Sequence, residues 1–439
     1  MKQFVTWIVL WFTCTTISGQ ELTLAECIQV GINHNLSLHN ARIGIEKRQT
    51  AVSQNRARLL PVIQGVAQWT DYLDNPVNVT TGTLLGNDFP DDPTWQTIKS
   101  MTYNSQVGLQ LSMPLYAPTI SADLDVARAV ERISRLSLEK AKEELTVQIA
   151  KVYYLAQSTK AQLQLTEMNI NRMETLCQIT EALYDQGVVM LIDLNRVRIN
   201  LKTLQANRNV QQTLQAQQLN MLRYLLDLPL DAPLDVTTMD QSFSPLTCGA
   251  ESFMLPEEQL AEKQKNLISL QLKSLHAAYL PTVSLTAYAG GLGYNEKFLK
   301  VFDHWFGNCF VGVTVKMPIF DGHAKKLRKQ QYLYDAEQAQ NNLDIVRKQI
   351  ARSRADATLQ LTRNIDLVKT QQECARQAED VYAVAEEQYR EGVASMTALL
   401  QDDMQLRQAQ SSCVQAVCQC YLAQLDLLKQ SGNLQVLSK

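Results

Sequence analysis

The sequence predicts a mainly α-helical fold with a membrane β-barrel portion, built as two tandem repeats of strand–strand–long helical hairpin. Three observations predict it. Two very long stretches lack proline, short segments between them alternate apolar with polar residues, and a set of landmarks recurs in order in both halves of the chain.

The helices come first. From Thr119 to Leu228 there is no proline and a single glycine, Gly187; from His323 to Ser431 there is again no proline and a single glycine, Gly392. These stretches are far longer than globular helices and predict hairpins over 119–228 and 322–431. Each turns at its glycine, where a left-handed backbone is sterically free. Leu138, Leu145, Val152 and Met173 share one seven-residue series, and Ile149, Ala156, Leu163, Ile170 and Cys177 share a second, offset by four. The two series form an a/d seam with Thr159 and Thr166 as polar interruptions. Thr119 to Gln186 corresponds to roughly 100 Å of helix. Shorter helices are predicted over 22–59 and 256–279.

The landmarks repeat. Leu60-Pro61 returns as Leu280-Pro281, Met113-Pro114-Leu115-Tyr116 as Met317-Pro318-Ile319-Phe320, and Tyr184-Asp185-Gln186-Gly187-Val188 as Tyr389-Arg390-Glu391-Gly392-Val393. Pro114 and Gly187 are 73 residues apart, Pro318 and Gly392 74 apart. An interval kept so closely over such a distance marks an internal duplication. The repeats are placed at 20–230 and 256–439, with a linker over 231–255.

Between the prolines the period changes from seven to two. Tyr103, Val107, Leu109, Leu111 and Met113 face away from Asn104, Gln106, Gly108, Gln110 and Ser112. Val311, Val313, Val315 and Met317 oppose Gly312, Thr314 and Lys316, and Val283, Leu285, Ala287 and Ala289 oppose Ser284, Thr286 and Tyr288. Strands are predicted over 62–72, 103–113, 282–292 and 309–317. Their length suits a tilted bilayer crossing with an apolar outside and a wet inside. A soluble hairpin with one buried face has the same alternation; the signal sequence and Trp69, Trp95 and Trp305 near the strand ends favour the membrane. Four strands cannot close a barrel, and open edges are not tolerated in lipid. Several copies must each contribute four strands, and three copies would supply twelve, an even number within the known range, so the strand count makes an oligomer obligatory.

The remaining features bound the function. Lys2, the apolar stretch Phe4–Ile17 and the small residues Ser18 and Gly19 read as a signal peptide over 1–19. Cys14 follows residues poorly suited to lipidation, and no later stretch is apolar for long enough to form a transmembrane helix. The formal charge of −3, without a Lys/Arg run, excludes a nucleic-acid footprint. The nine cysteines match no disulfide scaffold, and Cys418-x-Cys420 reads as small buried helix residues. The five histidines show no metal spacing, and no nucleophile motif or cofactor site is present, so no enzyme is expected. Gly290-Gly291-Leu292-Gly293 reads as a bend at the barrel rim, and residues 71–98, with five Asp and three Pro but no Lys or Arg, as an acidic surface loop. The links between strands are expected outside the cell.

With these repeats in place the chain resembles the TolC-type outer-membrane efflux proteins over essentially its whole mature length. Leu22-Thr23-Leu24-Ala25-Glu26-Cys27 is similar to the family's opening helix, and the paired Tyr-x-x-Gly-Val landmarks match its two hairpin turns. The resemblance implies a homotrimeric duct through the outer-membrane lipid, on an α-helical periplasmic tunnel. Its implied partners are a periplasmic adaptor (membrane fusion) protein and an inner-membrane pump, and its cargo is small molecules or polypeptides. It also implies a periplasmic gate, carried here by Asp193 and Tyr389, with Asp402 and Asp403 beside the family's acidic positions, which fall on Ala398 and Gln401. The family's basic latch residue falls on Ala394. Gly187, Val188, Gly392 and Val393 are expected at the tips where an adaptor docks. The competing reading is a soluble periplasmic coiled-coil structural protein.

Overall fold

The computed structural model describes residues 21–81, 95–240 and 254–438. The expected signal peptide with Cys14, the middle of the acidic loop, Cys248 and much of the linker lie outside the described residues. In chain order the elements of the first half are β1 (Glu21–Leu22), α1 (Leu24–His34), α2 (Leu36–Ala57), β2 (Val62–Asp71), β3 (Val77–Thr81), β4 (Trp95–Lys99), β5 (Tyr103–Tyr116), α3 (Pro118–Asp185) and α4 (Leu191–Leu226). There follow β6 (Asp235–Val236), α5 (Pro256–Ala277), β7 (Thr282–Asn295), β8 (Trp305–Lys316), α6 (Ala324–Arg390) and α7 (Met396–Ser431). The chain divides into two compact units, one of Met1–Gly44, Arg135–Ala261 and Asn342–Lys439, the other of Ile45–Ser134 and Glu262–Asn341. Each unit draws on both repeats.

The second unit holds a four-stranded antiparallel sheet of order β2-β5-β7-β8. The last strand of the first repeat therefore pairs with the first strand of the second, Tyr103 opposite Asn295. On β8 the apolar face stands open, with Val311, Val313 and Val315 exposed by 61 to 71%. The strand expected over 103–113 continues to Tyr116, and the register shifts between Pro114 and Tyr116. Proline has no N–H to give the ladder, so the pairing slips there instead of ending. The strand expected from 309 starts at Trp305. The bend expected at Gly290–Gly293 is not there: β7 runs straight through it. Tyr288 gives one reason for a glycine, since a Cβ on Gly108 or Gly290 would run into its hydroxyl end. The expected loop over 71–98 also has structure at its base, where β3 and β4 pair from Val77↔Lys99 to Thr81↔Trp95.

In the first unit the opening motif acquires a physical reason. Thr23 caps α1: its hydroxyl accepts from the Glu26 amide at 3.3 Å, and Glu26 accepts from the Thr23 amide at 2.8 Å, a reciprocal capping box. Over 22–59 the helices are two, α1 and α2. Asn35 ends α1 with ψ 121° and caps α2, its side-chain oxygen accepting from Ser37 and Leu38. Gly31 lets α1 approach α3 and α4 closely, where a Cβ would collide with Ile149. Seam residues Leu138, Leu145, Ile149, Ala156, Ile170 and Met173 are buried. Thr159 and Thr166 are buried too, each returning its hydroxyl to the carbonyl four residues earlier. Cys418 and Cys420 lie inside α7, and burial pushes both thiols up, Cys420 to about 11, which disfavours the reactive thiolate.

The linker is anchored on α3. β1 pairs with β6 in parallel, and Tyr153 donates to the Leu22 carbonyl at 2.9 Å. Lys160 contacts Glu21 and Asp235 at 2.8 Å each and donates to the Val236 carbonyl at 2.6 Å. Burial lowers the Lys160 pKa, but the two carboxylates outweigh it and hold the ammonium above its usual value. Lys160→Gln is expected to cost on the order of 1.5 kcal/mol locally. The readout is about tenfold lower hydrogen-exchange protection in β1 and β6, with the α3 amides unchanged.

Candidate functional site

The two hairpins turn in the same way. After α3, Gly187 adopts φ +73°, its amide donates to Tyr184 at 2.8 Å, and the Val188 amide reaches back to Leu183 at 2.9 Å. After α6, Gly392 adopts φ +77°, its amide donates to Tyr389 at 3.0 Å, and Val393 reaches back to Gln388 at 2.9 Å. Both are Schellman-type ends, which satisfy the last carbonyls of the helix and reverse the chain. The return helices differ. Ser395 caps α7 by accepting from Ala398, whereas Met190 gives α4 no side-chain cap. Val188, Met190, Leu191, Ile192 and Val393 leave a run of exposed apolar side chains on the tips.

Behind the tips the four long helices share one core, with Met173 from α3, Val197 from α4, Tyr382 from α6 and Leu399 and Leu406 from α7. Tyr389 packs against this core. Its hydroxyl is buried beside Thr180 and has no hydrogen-bond partner of good geometry among the described residues. Burial raises the Tyr389 pKa, and the negative charge of nearby Asp193 raises it further. Asp193 pairs with Arg196 at 3.1 Å, and Arg196 donates to Thr397 on the other hairpin at 2.9 Å. Tyr389 and Asp193 are thus brought together, and a polar chain that sequence reasoning missed (Asp193, Arg196, Thr397) links the two tips.

Asp403, one of the gate candidates, is 1% exposed within its own chain. Arg172 of α3 reaches it at 3.1 Å and Arg407, one turn later on α7, at 2.8 Å. Arg172 also stacks over the Tyr382 ring at 4.6 Å from its centre. Burial raises the Asp403 pKa by more than the two guanidiniums lower it. Asp403 is therefore a tie inside the subunit that joins the first hairpin to the second. Asp402, one position earlier, stays half-exposed.

The model of the family described as "Outer membrane efflux protein" matches residues 28–227 and 259–433, which take in both hairpins and all four strands of the sheet. The chain belongs to the outer membrane efflux protein family. Among curated relatives, the "Toluene efflux pump outer membrane protein TtgC" of Pseudomonas putida is 23% identical over 93% of this chain and 83% of its own. The "Antibiotic efflux pump outer membrane protein ArpC" of Pseudomonas putida has the same identity and coverage. Among solved structures, the Campylobacter jejuni CmeC outer membrane channel aligns with a TM-score of 0.75 at 16% identity, covering 93% of this chain and 85% of that one. As an outer membrane efflux protein the chain is a transport component of the outer membrane, and the soluble coiled-coil alternative is set aside.

Proposed function

We propose that three copies of the chain form one exit duct, with β8 of each copy pairing with β2 of the next to close a twelve-stranded barrel. The observation that carries this reading is the sheet: β2 and β8 have no strand on their outer sides among the described residues, and the β8 valines are exposed. In lipid an unpaired edge leaves backbone groups unsatisfied at several kcal/mol each, so closure with further copies is required. Three sets of four strands give an even-numbered barrel of known size.

In this reading the long hairpins enclose a tunnel on the periplasmic side. A periplasmic adaptor docks on the tips at Gly187, Val188, Gly392 and Val393, where the apolar side chains are exposed. An inner-membrane pump supplies the energy and selects a small-molecule cargo; the duct itself carries out no chemistry. Asp193, Tyr389 and Asp402 make the gate, with carboxylates repeated around a threefold axis favouring cations at the narrowest point. Asp403 is left out, because its charge is compensated inside its own subunit.

The test is conductance of the purified trimer in a planar bilayer. Wild type is expected to be cation-selective and blocked by divalent ions. Asp193→Asn with Asp402→Asn is expected to lower both properties while the trimer remains intact. Unchanged selectivity and block remove those two residues from the gate, and protein that neither inserts nor forms heat-labile trimers refutes the duct.

A further inference from the structure

The link between β7 and β8 is folded against the face of the sheet that carries the valines. The face is fixed by register. Ser105 is opposite both Trp69 and Gly293, and Gly293 is opposite Trp305, so these four residues share one side. Alternation along β5 and β8 puts Val107, Leu109, Val311 and Val313 on that same side. At its Asn295 end this face is built of small residues. A Cβ on Gly293 would collide with the Val301 carbonyl, and a Cβ on Gly291 would come within 2.9 Å of the Trp305 ring. Val301 fills the hollow and is fully buried, and the Ser105 hydroxyl points at its carbonyl oxygen at 3.4 Å.

The link also completes a ring of aromatic side chains. Phe298 stands edge-on to Trp69 at 5.1 Å and to Tyr103 at 5.9 Å, and Phe302 lies 6.4 Å from Trp305. Yet the link is not itself covered: Phe298, Leu299 and Phe302 remain exposed, Leu299 by 80%. Lys297 and Lys300 flank them, and the Asn295 side chain donates to the Lys300 carbonyl at 3.2 Å, which fixes the short 3-10 turn Phe298–Lys300. Apolar and aromatic groups at the end of an apolar strand face, with long cationic side chains beside them, are the composition of a lipid–water boundary.

We propose that residues 296–304 form a membrane anchor, with Phe298, Leu299 and Phe302 embedded among lipid at the edge of the acyl-chain layer and Lys297 and Lys300 reaching the phosphate level. The occupant is bilayer lipid, because the anchor is continuous with the valine face of the sheet. The inference rests on the duct reading, since it takes that face as the outside of a barrel.

The test uses the full-length protein carrying Leu299→Trp in phosphatidylcholine vesicles, with the wild-type emission subtracted. The added emission is expected to be lost in vesicles of lipid brominated high on the acyl chain and to be unaffected by iodide in the water. Adding Gly293→Val should expel Val301 from its hollow and reverse the two responses. Quenching by iodide alone, or shielding from both quenchers as under a second copy of the chain, overturns the anchor while leaving the duct intact. Protein that an alkaline carbonate wash strips from the vesicles overturns both.

Discussion

Asp403→Ala is expected to destabilise the paired hairpins by about 3 kcal/mol, the low end of the range for breaking a buried ion pair. The cost arises from what is left behind. Arg172 and Arg407 converge on the carboxylate from two helices, and with their side chains 28% and 19% exposed neither reaches water freely. The measurement is the urea midpoint of the detergent-solubilised protein, followed by helical ellipticity. Asp402→Ala on the adjacent, half-exposed position should move the midpoint little. Replacing Asp403 by Leu together with Arg172→Met and Arg407→Met should recover most of the loss, because an apolar seam of similar volume needs no charge compensation. If the single variant is no less stable than wild type, Asp403 is not a tie.

The same carboxyl makes a prediction for pH. Its pKa is raised in the folded chain, with burial as the largest cause. Its contribution to stability is then fully present below the usual Asp pKa and is lost as pH rises through the raised folded value. Asp403→Asn should flatten that part of the stability curve, a change visible in urea midpoints taken from acid to neutral pH.

The repeat was legible because proline and glycine write backbone geometry directly into sequence. Gly187 and Gly392 do sit at positive φ, and the period-two segments do pair as strands. What escaped was decided by tertiary packing. Asp402 and Asp403 stand together in the sequence as gate candidates, but Met396, Leu399, Asp403 and Leu406 follow the three-four spacing of a seam, so only one of the two acids faces the core. The i, i+4 partner Arg407 was a signal available in sequence; Arg172, more than two hundred residues away, was not. The break between the two helices of 22–59 falls at Asn35, whose side chain caps α2, a position that composition alone does not fix. The glycines of β7 resembled a bend, since sequence records the missing Cβ and not the Tyr288 ring and Val301 carbonyl that occupy its place.

In the proposed duct, Gly392→Pro and Gly187→Pro are expected to abolish efflux while the heat-labile trimer persists. Proline is held near φ −65°, so it cannot adopt the +77° and +73° of these turns, and it removes the amides that donate to Tyr389 and Tyr184. The chain must then leave α6 or α3 in another direction, which displaces Val393 or Val188 and disturbs the pairing of Arg196 with Thr397 across the tips. Alanine at either position keeps the amide and pays only the left-handed backbone cost of about 1 kcal/mol, so Gly392→Ala should retain most activity. The sheet belongs to the other compact unit, and among the described residues its ladder pairs strand with strand. The readout is accumulation of a dye that cells with the wild-type protein export, beside gel mobility of unheated samples. Loss of the trimer in the proline variants would show that the tips direct assembly, and wild-type efflux from Gly392→Pro would remove the turn from the docking site.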